Sequence, residues 1–214
     1  MSQSDQIDWT TYYNARSGRP PRPLLLNALG RFHDDPSGPP RQAIDLGCGE
    51  GSDSLALLQR GWHVLAIDRE PEAIARLRAN VPEALQPQLQ TTIAAFEEVA
   101  LPTADLIYAS YSLPFCEPAH FTSLWHKIET AVCKGGRFVG QLFGDRDTWT
   151  TNGQMTFLTE RETHALFTNF TLEFIQEIDE DGQAVSGPKH WHYFDIIARK
   201  EGLNDSGFPF PRMA

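Results

Sequence analysis

The run Ala43-Ile44-Asp45-Leu46-Gly47-Cys48-Gly49-Glu50-Gly51 constrains this chain most. A short apolar strand carrying an acid leads into three glycines at alternate positions, and a helical pattern follows. Glycine takes positive φ without steric cost and has no Cβ, so main chain there can approach a ligand closely. The first turn of the next helix adds free N–H groups. The spacing is G-x-G-x-G, with the acid two residues before the first glycine. Dinucleotide-binding loops use G-x-G-x-x-G instead. That difference, and the lack of a second substrate-binding domain, weigh against a nicotinamide-dependent oxidoreductase.

From residue 41 onward the apolar pattern alternates between strand and helix. It predicts strands over 42–46, 62–67, 89–94, 104–110 and 136–143, with helices over 52–60, 71–79, 118–132 and 159–168. Such alternation gives a mostly parallel sheet with helices on both faces. The last two strand-like runs, 170–178 and 190–199, are separated by Asp179-Glu180-Asp181-Gly182, too short for a crossover helix. They predict an antiparallel hairpin with its turn at those four residues. Short helices are expected over 7–15 and 22–32, and residues 34–40 read as a turn-rich connector. The expected organisation is an N-terminal helical lid segment (1–40), a main domain (41–200) and an irregular tail (201–214).

Asp68 ends the second strand one βαβ unit beyond the glycines. A carboxylate there can accept both hydroxyls of a ribose lying over the loop; an N-cap for the next helix is the alternative. Together the glycine run, Asp68 and the final hairpin resemble motif I and its surroundings in class I S-adenosylmethionine-dependent methyltransferases. Within that superfamily the chain is most similar to the tellurite-resistance-type enzymes. The resemblance implies an α/β fold, a Rossmann-like doubly wound seven-stranded sheet, mostly parallel with an antiparallel last strand. It also implies S-adenosylmethionine as cofactor and a methyltransferase activity, with a non-catalytic cofactor-binding sensor or scaffold as the alternative.

The resemblance places Asp45, Gly47, Cys48, Gly49, Asp68 and Arg69 around the cofactor. Phe96 packs either the purine or the core. Ala95 stands where many relatives carry an acid. Ser110 and Tyr111 follow the fourth strand, where the chain passes the methionine half of the cofactor. The Asn/Asp-Pro-Pro-Tyr signature of enzymes that methylate amino groups of nucleic acids or glutamine is missing. Tyr13 and Arg16 belong to the cofactor set through the lid, which also carries Trp9 and Tyr12. Tyr108 reads as core.

Methyl transfer from a sulfonium is an in-line displacement, so positioning dominates and a base is needed only for a protonated nucleophile. His190, His192 and Tyr111 are the catalytic candidates. The two histidines alternate along a strand and face one side, while Trp191 and Tyr193 face the other. Their bland role is a hydrogen-bonded strand end. No third metal ligand is signalled beside them, so no metal site is expected. Arg146 either clamps a carboxylate or pairs with Asp145 or Asp147. His120 reads as a surface residue near a helix start.

A formal net charge of −10 argues against a nucleic-acid partner. The small cluster of Arg16, Arg19 and Arg22 reads as a solvated face. Three cysteines without a C-x-x-C pair, and a polar N-terminus, fit a reduced, cytoplasmic protein. No apolar run reaches membrane-spanning length. The expected partner is a small-molecule substrate.

Overall fold

The computed structural model describes residues 8–32 and 39–202. Residue 7, most of the expected connector and tail residues 203–214 lie outside the described residues. Seven strands form: β1 (Gln42–Leu46), β2 (His63–Asp68), β3 (Leu89–Ile93), β4 (Ala104–Ala109), β5 (Val132–Phe143), β6 (Phe170–Ala184) and β7 (Gly187–Lys200). Six α-helices accompany them: α1 (Trp9–Arg16), α2 (Pro23–Leu29), α3 (Ser52–Leu58), α4 (Pro71–Asn80), α5 (Pro118–Ala131) and α6 (Glu160–Leu166). Local chemistry sets their starts. Proline occupies the first turn of α2, α4 and α5, where its missing N–H costs nothing. Thr159 and Glu162 close a capping box on α6.

The strands make one sheet ordered β3-β2-β1-β4-β5-β7-β6. β1 pairs in parallel with β2 and β4, β2 with β3, and β4 with β5. β7 runs antiparallel to both β5 and β6, so it alone is reversed. Central strands buried on both faces read as continuous apolar runs, and β1 is buried from Ala43 to Leu46. One layer packs Phe121, Leu124, Trp125 and Ile128 of α5 against Phe194, Ile196 and Ala198 of β7. The other packs Leu24, Leu25 and Ala28 of α2 with Leu57, Leu58, Ile74 and Leu77 of α3 and α4. Residues 22–32 are thereby part of the domain core.

Two boundaries differ from expectation. α5 runs directly into β5, whose Val132 already pairs with Ala104 before a register shift. The final hairpin is longer than its sequence suggests: pairing continues through Asp179↔His192 and Asp181↔His190 to Ala184↔Gly187. The turn is therefore at residues 185–186, and 179–182 belong to β6. Those acids read as a turn in one dimension, but across the ladder they face histidines that hold the strand in place.

Candidate functional site

The glycine loop lies at the carboxyl ends of β1 and β4, the edge where parallel α/β sheets bind ligands. Gly47, Gly49 and Gly51 have φ of 74°, 56° and 89°, all left-handed. Their lack of a Cβ serves different neighbours. A Cβ on Gly47 would sit 2.3 Å from the Ser112 Cβ, and one on Gly51 2.2 Å from Leu77 Cδ1. Those two glycines let β4 and α4 pack. Gly49 faces the Tyr13 ring, 3.6 Å from a would-be Cβ.

Asp68 stands across from this loop, nearly buried. One carboxylate oxygen accepts the Gly49 N–H at 2.9 Å and the other the Glu70 N–H at 3.0 Å. Each keeps a lone pair for a further donor. Burial raises its pKa, and the two backbone N–H groups oppose the rise. Asp45 lies beneath the loop, accepting from Ser54 Oγ at 2.6 Å. Burial, then the nearby Asp53 charge, pushes it up to about 7. Cys48 is buried, and burial, then Asp45, raises its thiol pKa.

α1 closes over the loop. Tyr13 is buried, and its ring stacks at 22° on Trp9. Outside contacts that tie α1 to α4 are Thr10 Oγ1 to Glu72 at 2.6 Å and Arg76 to Asn14 at 2.8 Å. A cavity of about 40 Å³ remains between α1, the 16–22 segment and the loop; Arg16, Arg19, Arg22, Asp45, Asp53 and Ser110 line it. The arginines are thus not a solvated face. Arg19 forks onto both Asp53 oxygens at 3.2 and 2.7 Å. Asp53 also accepts the Arg22 N–H at 2.9 Å and the Tyr108 hydroxyl at 3.0 Å. By contrast, Arg16 Nε and Arg22 Nε are buried without a hydrogen-bond partner, and Ser110 Oγ is likewise buried.

Tyr111 follows β4 with φ 53°, alone among the described non-glycine residues in the left-handed region. Such backbone is strained for a tyrosine and needs outside support. Gln141 supplies it: its Oε1 accepts the Tyr111 N–H at 3.1 Å while its Nε2 donates to Asp195 at 2.7 Å. The Tyr111 ring meets Phe143, Trp191 and Tyr193, and the Arg22 guanidinium lies over it at 4.5 Å. Burial, then contact with Tyr193, raises the Tyr111 phenol well above its ordinary range. Both effects favour the neutral phenol.

The histidines sit elsewhere. The strand alternation holds, with Trp191 and Tyr193 on the Tyr111 side and His190 and His192 on the opposite face. His192 is fully buried; Nδ1 accepts the Arg146 N–H at 2.9 Å and Nε2 meets Glu177 at 2.9 Å. His190 bridges Asp181 at 2.8 Å and Asp179 at 2.7 Å, and those acids, Asp181 first, raise its pKa. Arg146 pairs with Glu177 and Asp179 rather than with its neighbours Asp145 or Asp147.

The hairpin register does supply what the sequence did not signal, third and fourth groups beside the histidines. Glu177, Asp179 and His192 bring ligand-type atoms within 4.8 Å of one another. Their bonding fits an ion-pair cluster better than a metal. The accepting Nδ1 fixes the His192 proton on Nε2, the would-be ligand atom, and Arg146 already balances both acids.

Arg69 is largely exposed and pairs with Glu70 at 3.2 Å. Phe96 is half-buried and packs on the α5 core layer. His120 is exposed at the start of α5, and Tyr108 is fully buried. Sequence reasoning missed Asp53, Gln141 and Asp195. Asp53 in a first helical turn reads as an ordinary partner of the helix dipole, and nothing local marks the other two.

Residues 43–136 match the family model described as a methyltransferase domain. That segment, under half of the chain, is similar to methyltransferase domains. An uncharacterized methyltransferase of Synechocystis is 32% identical over 124 residues, covering 55% of this chain and 57% of the relative. A carboxy-S-adenosyl-L-methionine synthase of Geobacter metallireducens is 33% identical over 98 residues, covering 43% of this chain and 40% of the relative. The chain thus spans about half the length of the curated relatives it matches. TehB from Haemophilus influenzae superposes with a TM-score of 0.71 at 17% identity, over 90% of this chain and 67% of that one. A magnesium protoporphyrin IX methyltransferase from Synechocystis, crystallised with bound SAM, gives 0.61 at 12% identity over 92% and 86%. The fold shared with these structures and the resemblance drawn from motif I agree. No helix among the described residues is long and apolar enough to cross a membrane.

Proposed function

We propose that this chain transfers a methyl group from S-adenosylmethionine to a small-molecule nucleophile. The observation that carries the reading is the glycine loop at the β1 edge, faced by a nearly buried Asp68 and by the unpartnered Nε of Arg16. These groups fit the cofactor: Asp68 has free lone pairs for ribose hydroxyls, and a buried orphan guanidinium nitrogen suits the amino-acid carboxylate. Asp45, Gly47, Cys48, Gly49, Ser110 and Tyr13 complete the wall.

When bound, the sulfonium supplies an electrophilic methyl, so the chain's task is alignment and exclusion of water. Ligand clefts span roughly 300–1,000 Å³, whereas this cavity is about 40 Å³. α1 therefore acts as a lid that swings outward to admit the cofactor and returns Tyr13 over Gly49. Its outer contacts are exposed polar pairs, each worth little, which suits a moving element. Tyr111, its backbone held by Gln141 and its hydroxyl engaged by Tyr193, presents a fixed ring wall that orients the nucleophile. His190 and His192, saturated on the other face, position the hairpin.

Calorimetry with S-adenosylhomocysteine on wild type and Asp68→Asn tests the first half of this. The variant loses one charge-assisted acceptor, so the expected loss is about 1–3 kcal/mol, roughly 5–150-fold. Equal affinity for both proteins, or no binding at all, contradicts the reading. A scaffold role predicts cofactor binding without S-adenosylhomocysteine formation across a broad acceptor panel.

A further inference from the structure

Arg22 lines the loop cavity where it meets Tyr111, and its surroundings describe what it meets. Its guanidinium lies over Tyr111 at 4.5 Å, and its Nε is buried without a partner. Among the described residues it forms no ion pair, whereas its neighbour Arg19 is neutralised by Asp53. Asp195 is the carboxylate its charge reaches, but Asp195 Oδ1 is engaged by Gln141. A buried N–H left without an acceptor is costly, and an anionic acceptor is what best relieves it on a guanidinium.

The wall beyond Arg22 is aromatic. Tyr111 joins Phe143, Trp191 and Tyr193, and Trp149 extends the cluster. Rings in such number would also suit a cationic acceptor, but that place is taken. Lys189, itself buried and paired with Asp147, puts its ammonium 5.3, 4.4 and 4.3 Å from the rings of Phe143, Trp149 and Trp191. Those ring faces already hold a cation.

We propose that the methyl acceptor is a flat, apolar organic anion whose carboxylate is clamped by Arg22 while its body packs on the Tyr111 cluster. This rests on the methyltransferase reading above and names its substrate class.

The test uses the full chain saturated with S-adenosylhomocysteine and three probes: 4-mercaptobenzoate, 4-mercaptobenzamide and 4-(aminomethyl)benzenethiol. Calorimetry is expected to show the benzoate binding at least about tenfold tighter than the amide, with the amine weakest. Arg22→Gln should collapse that ratio to about twofold while leaving cofactor-product affinity within about threefold; Arg22→Lys should recover part of it. Both variants are checked first by thermal unfolding. S-adenosylhomocysteine binding with no carboxylate preference among the probes, or with no probe bound, overturns this inference alone. So does an Arg22→Gln loss that falls on S-adenosylhomocysteine instead of the acceptor. Failure of S-adenosylhomocysteine to bind wild type removes the methyltransferase reading and this one together.

Discussion

Asp53→Ala is the sharpest test of how the cavity wall is built. One buried carboxylate accepts both Arg19 guanidinium bonds, the Arg22 N–H and the Tyr108 hydroxyl. The Tyr108 phenol is fully buried, so losing its acceptor costs the desolvation of an unmade bond, about 1–3 kcal/mol. The Arg22 N–H loses an ordinary bond, about 1 kcal/mol. Arg19 has a side chain 20% exposed, so it can turn to water and its loss lies below the 3–5 kcal/mol of a fully buried pair. The first two losses come to about 3 kcal/mol and Arg19 adds to them, so the total is at least about 3 kcal/mol. Urea unfolding measures it, and for a chain of this length the same loss lowers Tm by roughly 6–12 °C. Tyr108→Phe removes a single donor and should cost about 1 kcal/mol. Limited proteolysis should find new cleavage between α1 and α2 in Asp53→Ala, because that segment hangs on this side chain. An Asp53→Ala variant within about 1 kcal/mol of wild type, or a Tyr108→Phe variant equally destabilised, refutes the reasoning.

Two further expectations concern single residues. Asp45 holds a proton in the folded state up to about pH 7 that the unfolded chain releases near 3.8. Stability attributable to it therefore falls as pH rises through that window, by up to roughly 1.4 kcal/mol per unit. Asp45→Asn should remove this component, read as a difference in urea midpoint between the two proteins that grows from pH 4.5 to 7.5; a constant difference contradicts the assignment. Gly144→Ala would place a Cβ 2.0 Å from His192 Nδ1, forcing the buried ring out of its bonds to Arg146 and Glu177. A loss of about 2 kcal/mol or more is expected by thermal unfolding, and an unchanged Tm would show that the loop is not seated on this ring.

The sequence read the domain frame closely, because that frame is written in local chemistry. The 42–46 strand, the glycine loop and the 71–80 helix follow from apolar runs, alternate glycines and a proline at a helix start. Each signal acts within a few residues of itself. The hairpin escaped the same reasoning. Asp179, Glu180, Asp181 and Gly182 have turn composition, and only pairing with residues 189–192 across the ladder makes them strand. His192 read as either a catalytic candidate or a hydrogen-bonded strand-end residue; the turn of chain at Gly144 brings the Arg146 N–H onto its ring and occupies its acceptor.

Sequence alone determined that a strand, three glycines and a distant acid would meet at one sheet edge, since βαβ connectivity admits few other arrangements. Tertiary structure decided which charges around that edge stay uncompensated. Arg16, Arg19 and Arg22 are three similar letters in a row of polar residues. Asp53, 34 residues beyond Arg19 in the chain, neutralises one of them, and burial leaves the other two with an unsatisfied nitrogen. Electrostatic pairing depends on distance in space, not on separation along the chain, and so became visible only once the helices had packed.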